Sequence, residues 1–129
     1  MGRSGVILSA HMATESGIEA IYERGFNFRC NGQYAEARTE LSRVLQQAPR
    51  HVNARHQLAL IQGFEGDFDG SIASLHGLFL ENPANLEIRY DLAMTQMMLG
   101  MYEEACAHFK AILEVNPGHE KAKNQATYC

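Results

Sequence analysis

No apolar run in this chain approaches the ~20 residues that a membrane-spanning helix needs. Near the start only Val6-Ile7-Leu8 is apolar, which is too short for a signal-peptide core. Met1-Gly2 opens like a myristoylation signal, but Val6 stands where that signal wants Ser or Thr. The three cysteines, Cys30, Cys106 and Cys129, are scattered and form no Cys-x-x-Cys pair, which excludes a zinc ribbon and a dithiol redox motif. Three free thiols suit a reducing compartment, so the expectation is cytoplasm. The six histidines, His11, His51, His56, His76, His108 and His119, include no pair four apart and no ligand pattern with a carboxylate, so no metal site is expected. Cys106 and His108 lie two apart on a helix and diverge. No strand-turn-helix context supports a nucleophile elbow, and the chain is not expected to be an enzyme or to hold a cofactor. Basic residues are also few. Arg24, Arg29, Arg38, Arg43 and Arg50 balance the acids between residues 17 and 51, but beyond them acids prevail and the formal net charge is −4. Without a basic stripe, nucleic acid is not the expected partner, and neither is a membrane.

What is present is a period. Gly100, Tyr102, Ala105, Phe109 and Pro117 are preceded 34 residues earlier by Gly66, Phe68, Ser71, Leu75 and Pro83, and earlier again by Gly32, Tyr34, Ala37, Leu41 and Pro49. A 34-residue period with this punctuation marks a helical repeat array. With 129 residues and 46% hydrophobic composition the chain is long enough for one domain with a real core. Residues 1–16 fall outside the repeat. They read either as a tag-derived leader joined at His11-Met12 or as a native, loosely ordered one.

The pattern predicts helices over about 18–31, 34–48, 52–65, 68–81, 86–99 and 102–115, with no strand. The inward positions are Ile21, Gly25 and Phe28, then Ala37, Leu41, Val44 and Leu45, then Leu58, Ala59 and Ile61, then Ile72, Leu75, Leu78 and Phe79. Glycine accepts the left-handed conformation that ends a helix, and proline cannot continue one. Gly63, Gly70 and Gly77 lie in or beside helices of the second copy, and each interior glycine costs roughly 1 kcal/mol relative to alanine. The second copy is therefore expected to be the softest. After Pro117, Ala122 and Ala126 stand one turn apart among polar residues, as in a short capping helix. The stretch from Gly63 to Gly70 reads as a cation or phosphate loop or as the turn of repeat two. Its register with Gly32 and Gly100 favours the turn, and a phosphate cradle would lack its lysine.

In its small residues Gly25, Ala59 and Ala93, its Gly-x-aromatic turns, its Ala37, Ser71 and Ala105, and its closing prolines, the chain resembles the tetratricopeptide repeat family over about residues 18–119. It departs from the pattern at Arg24, Arg55 and Arg89, which stand where larger apolar residues are usual. The resemblance implies an all-α fold, a right-handed superhelical solenoid of three antiparallel helix pairs plus a capping helix. The repeats would be 18–51, 52–85 and 86–119, with a cap at 120–129, in a single domain over 17–129. It also implies that the first helix of each pair lines a concave groove where relatives bind peptides or partner proteins.

The stripe opposite the core on those first helices is read at steps of three and four. It gives Glu19, Tyr22 and Phe26, with Arg29; Asn53, His56 and Leu60, with Gly63; and Glu87, Tyr90, Met94 and Met97, with Met98 at its edge. Tyr22, His56 and Tyr90 stand one period apart and predict a ladder of rings. Apolar residues at such positions mean a binding surface or burial by another part of the chain, and methionine suits adaptable grooves. Met94 and Met97 read either as groove residues or as core against the cap. An apolar floor with an acidic border predicts a protein or peptide partner that is amphipathic and has basic flanks. The alternatives are a self-associating scaffold, or a docking or regulatory domain excised from a larger protein. Relatives that hold acidic chaperone tails use Lys, Asn and Arg where this chain has Tyr22, Phe26, Glu87 and Asp91, so such tails are not expected to bind.

Overall fold

The computed structural model describes residues 17–129, and the expectations about residues 1–16 lie outside the described residues. Among the described residues seven α-helices follow one another: α1 (Ile18–Cys30), α2 (Tyr34–Gln47), α3 (Val52–Phe64), α4 (Phe68–Glu81), α5 (Leu86–Met98), α6 (Tyr102–Val115) and α7 (Glu120–Ala126). Among the described residues there is no strand, and no helix is long and apolar enough to cross a membrane.

Two kinds of turn alternate. At the first kind, Gly32, Gly66 and Gly100 take φ of 78°, 97° and 77°, the left-handed region open to glycine. There the N–H of Gln33 donates to Phe28 O at 2.8 Å and the N–H of Gly32 to Arg29 O at 3.0 Å. Asp67 and Gly66 repeat this pair of bonds, as do Met101 and Gly100. This double closure satisfies carbonyls that a helix end would otherwise leave without donors. At the second kind, the proline-bearing turn, a side chain caps the helix that follows. The N–H of Ala54 donates to His51 Nδ1, that of Ile88 to Asn85 Oδ1 and that of Ala122 to His119 Nδ1, each at 3.1 Å.

The chain divides into two compact units between Ile61 and Gln62, inside α3. In the first, Ile18, Ile21, Ala37, Leu41, Val44, Ala54 and Ile61 form the core, with Phe28, Leu45 and Leu58 packed partly buried against it. A Cβ on Gly25 would stand 2.8 Å from Leu41 Cγ, so glycine is what lets α1 approach α2. In the second unit, Ala93, Ala105, Phe109, Ile112 and Ala122 form a core, and Leu75, Leu78, Ile88 and Leu92 are also buried. Arg89, at a position where the repeat usually has a bulky apolar residue, is built into this packing. Its guanidinium lies 4.7 Å over the Phe79 ring, and its Nε donates to His108 Nδ1 at 3.0 Å.

The cysteines correct the expectation of three free thiols. Cys106 and Cys129 are bonded, 5.8 Å apart at Cα, and join the end of the chain beyond α7 to α6. Cys30 alone is free and exposed. Helical spacing could not show the pair, because Cys129 lies past the last helix. The inference of a reducing compartment thereby loses its ground. With a sequence separation of 23 between the bonded positions, loop closure stabilises by about 3 kcal/mol. Reduction, or Cys129→Ser, should lower the urea midpoint accordingly, with the loss of amide protection greatest in α7. A midpoint indifferent to reductant would contradict the pairing.

Two of the three glycines of the second copy have local work. A Cβ on Gly63 would come within 3.1 Å of Ser71 Oγ, and one on Gly70 would run into the Asp67 carboxylate that caps α4. Gly77, inside α4, has nothing within 4 Å of an added Cβ. Gly77→Ala should therefore stabilise by up to about 1 kcal/mol, whereas Gly63→Ala should bring no gain. Thermal unfolding of the two variants checks this, and an equal gain from both would contradict it.

Candidate functional site

In the first unit, α1 presents Glu19, Tyr22 and Phe26 on one side. The Tyr22 and Phe26 rings lie 6.1 Å apart between centroids, and the Arg29 guanidinium sits 5.3 Å over Phe26. Arg29 Nε also donates to Gln57 Oε1 at 2.7 Å. His51 brings these residues together with the start of α3. Its Nδ1 accepts the Ala54 N–H, so that nitrogen carries no proton and Nε2 carries it. Nε2 donates to Glu19 Oε1 at 3.0 Å, and the ring lies 5.3 Å from Tyr22. Burial, ahead of nearby Glu23, raises the Tyr22 hydroxyl above its ordinary pKa, so it stays a neutral phenol.

The second unit repeats the arrangement on α5. His119 caps α7 through Nδ1, stacks on Tyr90 at 5.8 Å and places Nε2 3.6 Å from Glu87 Oε1. Tyr90 also meets the buried Phe109 at 5.8 Å. Burial again raises its hydroxyl, partly countered by Lys121. Lys121 Nζ lies 3.7 Å from Glu87 Oε2 and 5.7 Å from the centre of the Tyr90 ring. Met94 and Met97 pack partly buried against the core that contains Ala122, while Met98 is 67% exposed. Met94 and Met97 thus belong partly to the core, and Met98 lies at the surface.

Residues 65–125 match the family model described as tetratricopeptide repeat. An O-GlcNAc transferase of Thermobaculum terrenum is similar in fold at TM-score 0.80 and 22% identity, covering 88% of this chain. This chain spans 22% of the transferase. The first TPR of Spaghetti (RPAP3), solved with the HSP90 peptide SRMEEVD, is similar at TM-score 0.76 and 17% identity over 86% of this chain and 88% of that one. YrrB, a TPR protein with an unusual peptide-binding site, is similar at TM-score 0.74 and 18% identity, over 85% of this chain and 57% of that one. No curated protein sequence matches. The period, the helix pairs and the family match agree. The chain has the tetratricopeptide-repeat fold.

Within the repeats, the expected stripe is only partly an open surface. Glu19, Asn53 and Glu87 are exposed, whereas Tyr22, Phe26, Leu60, Tyr90, Met94 and Met97 are half-buried. His56 contradicts the ladder of rings, since it is only 8% exposed. On α3, Ala54 and Ile61 enter the core and Gln57 takes the Arg29 bond, so buried residues occupy more than one face and leave a narrower free stripe than a step of three and four assumes. Sequence reasoning missed His51 and His119, which organise both sites. Their signal was a Glu, a Tyr three residues on and a His 32 residues after the Glu, repeated at an offset of two periods. It also missed an open cleft of about 410 Å³ lined by Cys106, Lys110, Leu113, Glu114, Ala126 and Cys129.

His108 gives the repeats a titrating joint. Burial first, then the Arg89 guanidinium and His76, hold its imidazole below its ordinary pKa of 6.5. The unfolded chain therefore takes up this proton more readily than the folded one. The associated stability is fully present above 6.5 and drains as pH falls below it. His108→Asn, which can still accept from Arg89 without titrating, should lose less stability than the parent between about pH 7.5 and about pH 5.5. Equal losses in urea unfolding would contradict this.

Proposed function

We propose that this chain is a non-enzymatic interaction module whose α1 and α5 faces bind a peptide or helix of a partner protein, with apolar anchors flanked by lysine or arginine. One observation carries the reading: the α5 face already binds a lysine of its own chain. Lys121 lies against the Glu87 carboxylate and over the Tyr90 ring, the two interactions by which a carboxylate and an aromatic face attract an ammonium group. Beside them, Met94, Met97 and the exposed Met98 offer adaptable apolar contact. The peptide-bound RPAP3 repeat shares the fold and supports peptide binding as the class of function. Two or three anchors of this kind give roughly micromolar affinity once ordering costs are met.

Tyr90 and Met94 are unsuited to a deletion test, because they also pack against the core. Glu87, exposed at the border, isolates recognition from folding. Peptides selected from a displayed random library should be enriched in Lys or Arg beside apolar residues, and Glu87→Lys should weaken them at least about tenfold with an unchanged melting curve. The acidic heptapeptide SRMEEVD should show no measurable affinity, since carboxylates border this face. Tight, salt-sensitive binding of SRMEEVD, or selected peptides indifferent to Glu87→Lys, would contradict the reading.

A further inference from the structure

The two units carry the same three residue types at the same spacing, and only the later copy adds a lysine to them. Glu87, Tyr90 and His119 recur two periods earlier as Glu19, Tyr22 and His51. In the later copy, Lys121, two residues after the histidine, fills the space before the carboxylate and the ring. In the earlier copy that position is Asn53, which is exposed and carries no charge. The Glu19 side chain is 62% exposed. Its Oε1 takes the His51 Nε2–H, and among the described residues its Oε2 takes no bond. Arg29 sits over the neighbouring Phe26 ring and its charge also reaches the Tyr22 hydroxyl, which hydrogen-bonds Gln57, but no basic side chain stands at the Lys121 position before the Glu19 carboxylate.

We infer that Glu19 and Tyr22 form a receptor site for the side-chain ammonium group of a partner's lysine, with Lys121 on Glu87 and Tyr90 as its internal template. The carboxylate is held in advance. The Ala54 N–H fixes the His51 ring through Nδ1, and the opposite nitrogen fixes Glu19 Oε1. Little side-chain freedom remains to be lost when an ammonium group arrives at Oε2. A compact ammonium group with three donors meets the carboxylate and the ring together, as Lys121 does. This site rests on the proposed reading that α1 faces a partner, and it names the residue that α1 reads.

The test is a titration of the intact chain with N-acetyl-lysine methylamide and with its norleucine analogue, which has the carbon stem without the ammonium group, followed by NMR. The lysine probe should shift the Tyr22 ring and Asn53 amide signals saturably, and the norleucine probe should not. Tyr90 should respond more weakly than Tyr22, because there the probe must displace Lys121. Asn53→Lys, which supplies the ammonium group in cis, and Glu19→Gln should each abolish the Tyr22 response. An equal Tyr22 response to both probes, or a response that survives both substitutions, overturns the site. Library peptides that bind through α5 while Tyr22 ignores the lysine probe would overturn this inference and leave the proposed function standing. A lysine probe that reaches Tyr22 when no library peptide binds would do the reverse.

Discussion

Helix ends leave backbone groups that need partners, and among the described residues the repeat satisfies them in two recurring ways. A left-handed glycine closes the end of the first helix of a pair with two short bonds, at Gly32, Gly66 and Gly100. A side chain from the proline-bearing turn then caps the next first helix, through His51, Asn85 or His119. These closures fix where α1, α3 and α5 end and where α3, α5 and α7 start, and so fix which residues of α5 fall in the core and which fall on the border. Move the Asn85 cap by one residue and α5 turns by about 100°, which would carry Tyr90 off its face.

The caps also explain why the border is acidic and aromatic. A histidine whose Nδ1 accepts a backbone N–H has its second nitrogen free to donate, and a carboxylate one repeat back receives it. The same ring is broad enough to lie against a tyrosine, as His51 does with Tyr22 and His119 with Tyr90. One residue thus caps a helix with one edge and orders a carboxylate and a tyrosine with the other. Where Asn85 replaces histidine as the cap, the two positions one repeat back are Asn53 and His56, and the latter is buried.

Much of the architecture was legible in the sequence because glycine and proline act locally. Their spacing alone places the helices α2, α4 and α6 and their inward stripes, Ala37 and Leu41, Leu75 and Leu78, and Ala105 and Phe109 among them. The candidate surface was legible as a face but not as an environment. His56 is turned inward because α3 buries Ala54, Gln57 and Ile61, a consequence of its neighbours rather than of its own periodicity. Arg89 looked out of place at an apolar position, and only the meeting of Phe79 and His108 shows why a guanidinium fits there. Cys106 and Cys129 pair across a loop that no helical spacing encodes.

Recognition of basic residues by paired carboxylate and tyrosine is the claim on which the functional account depends. The most direct measurement is the affinity of one bound lysine-bearing peptide across ionic strength, compared with the same peptide carrying norleucine in place of its lysines. The account predicts that binding weakens steadily as salt rises from about 50 mM to about 500 mM, and that the norleucine peptide binds more weakly and hardly responds to salt. Two peptides of equal affinity, both indifferent to salt, would contradict it.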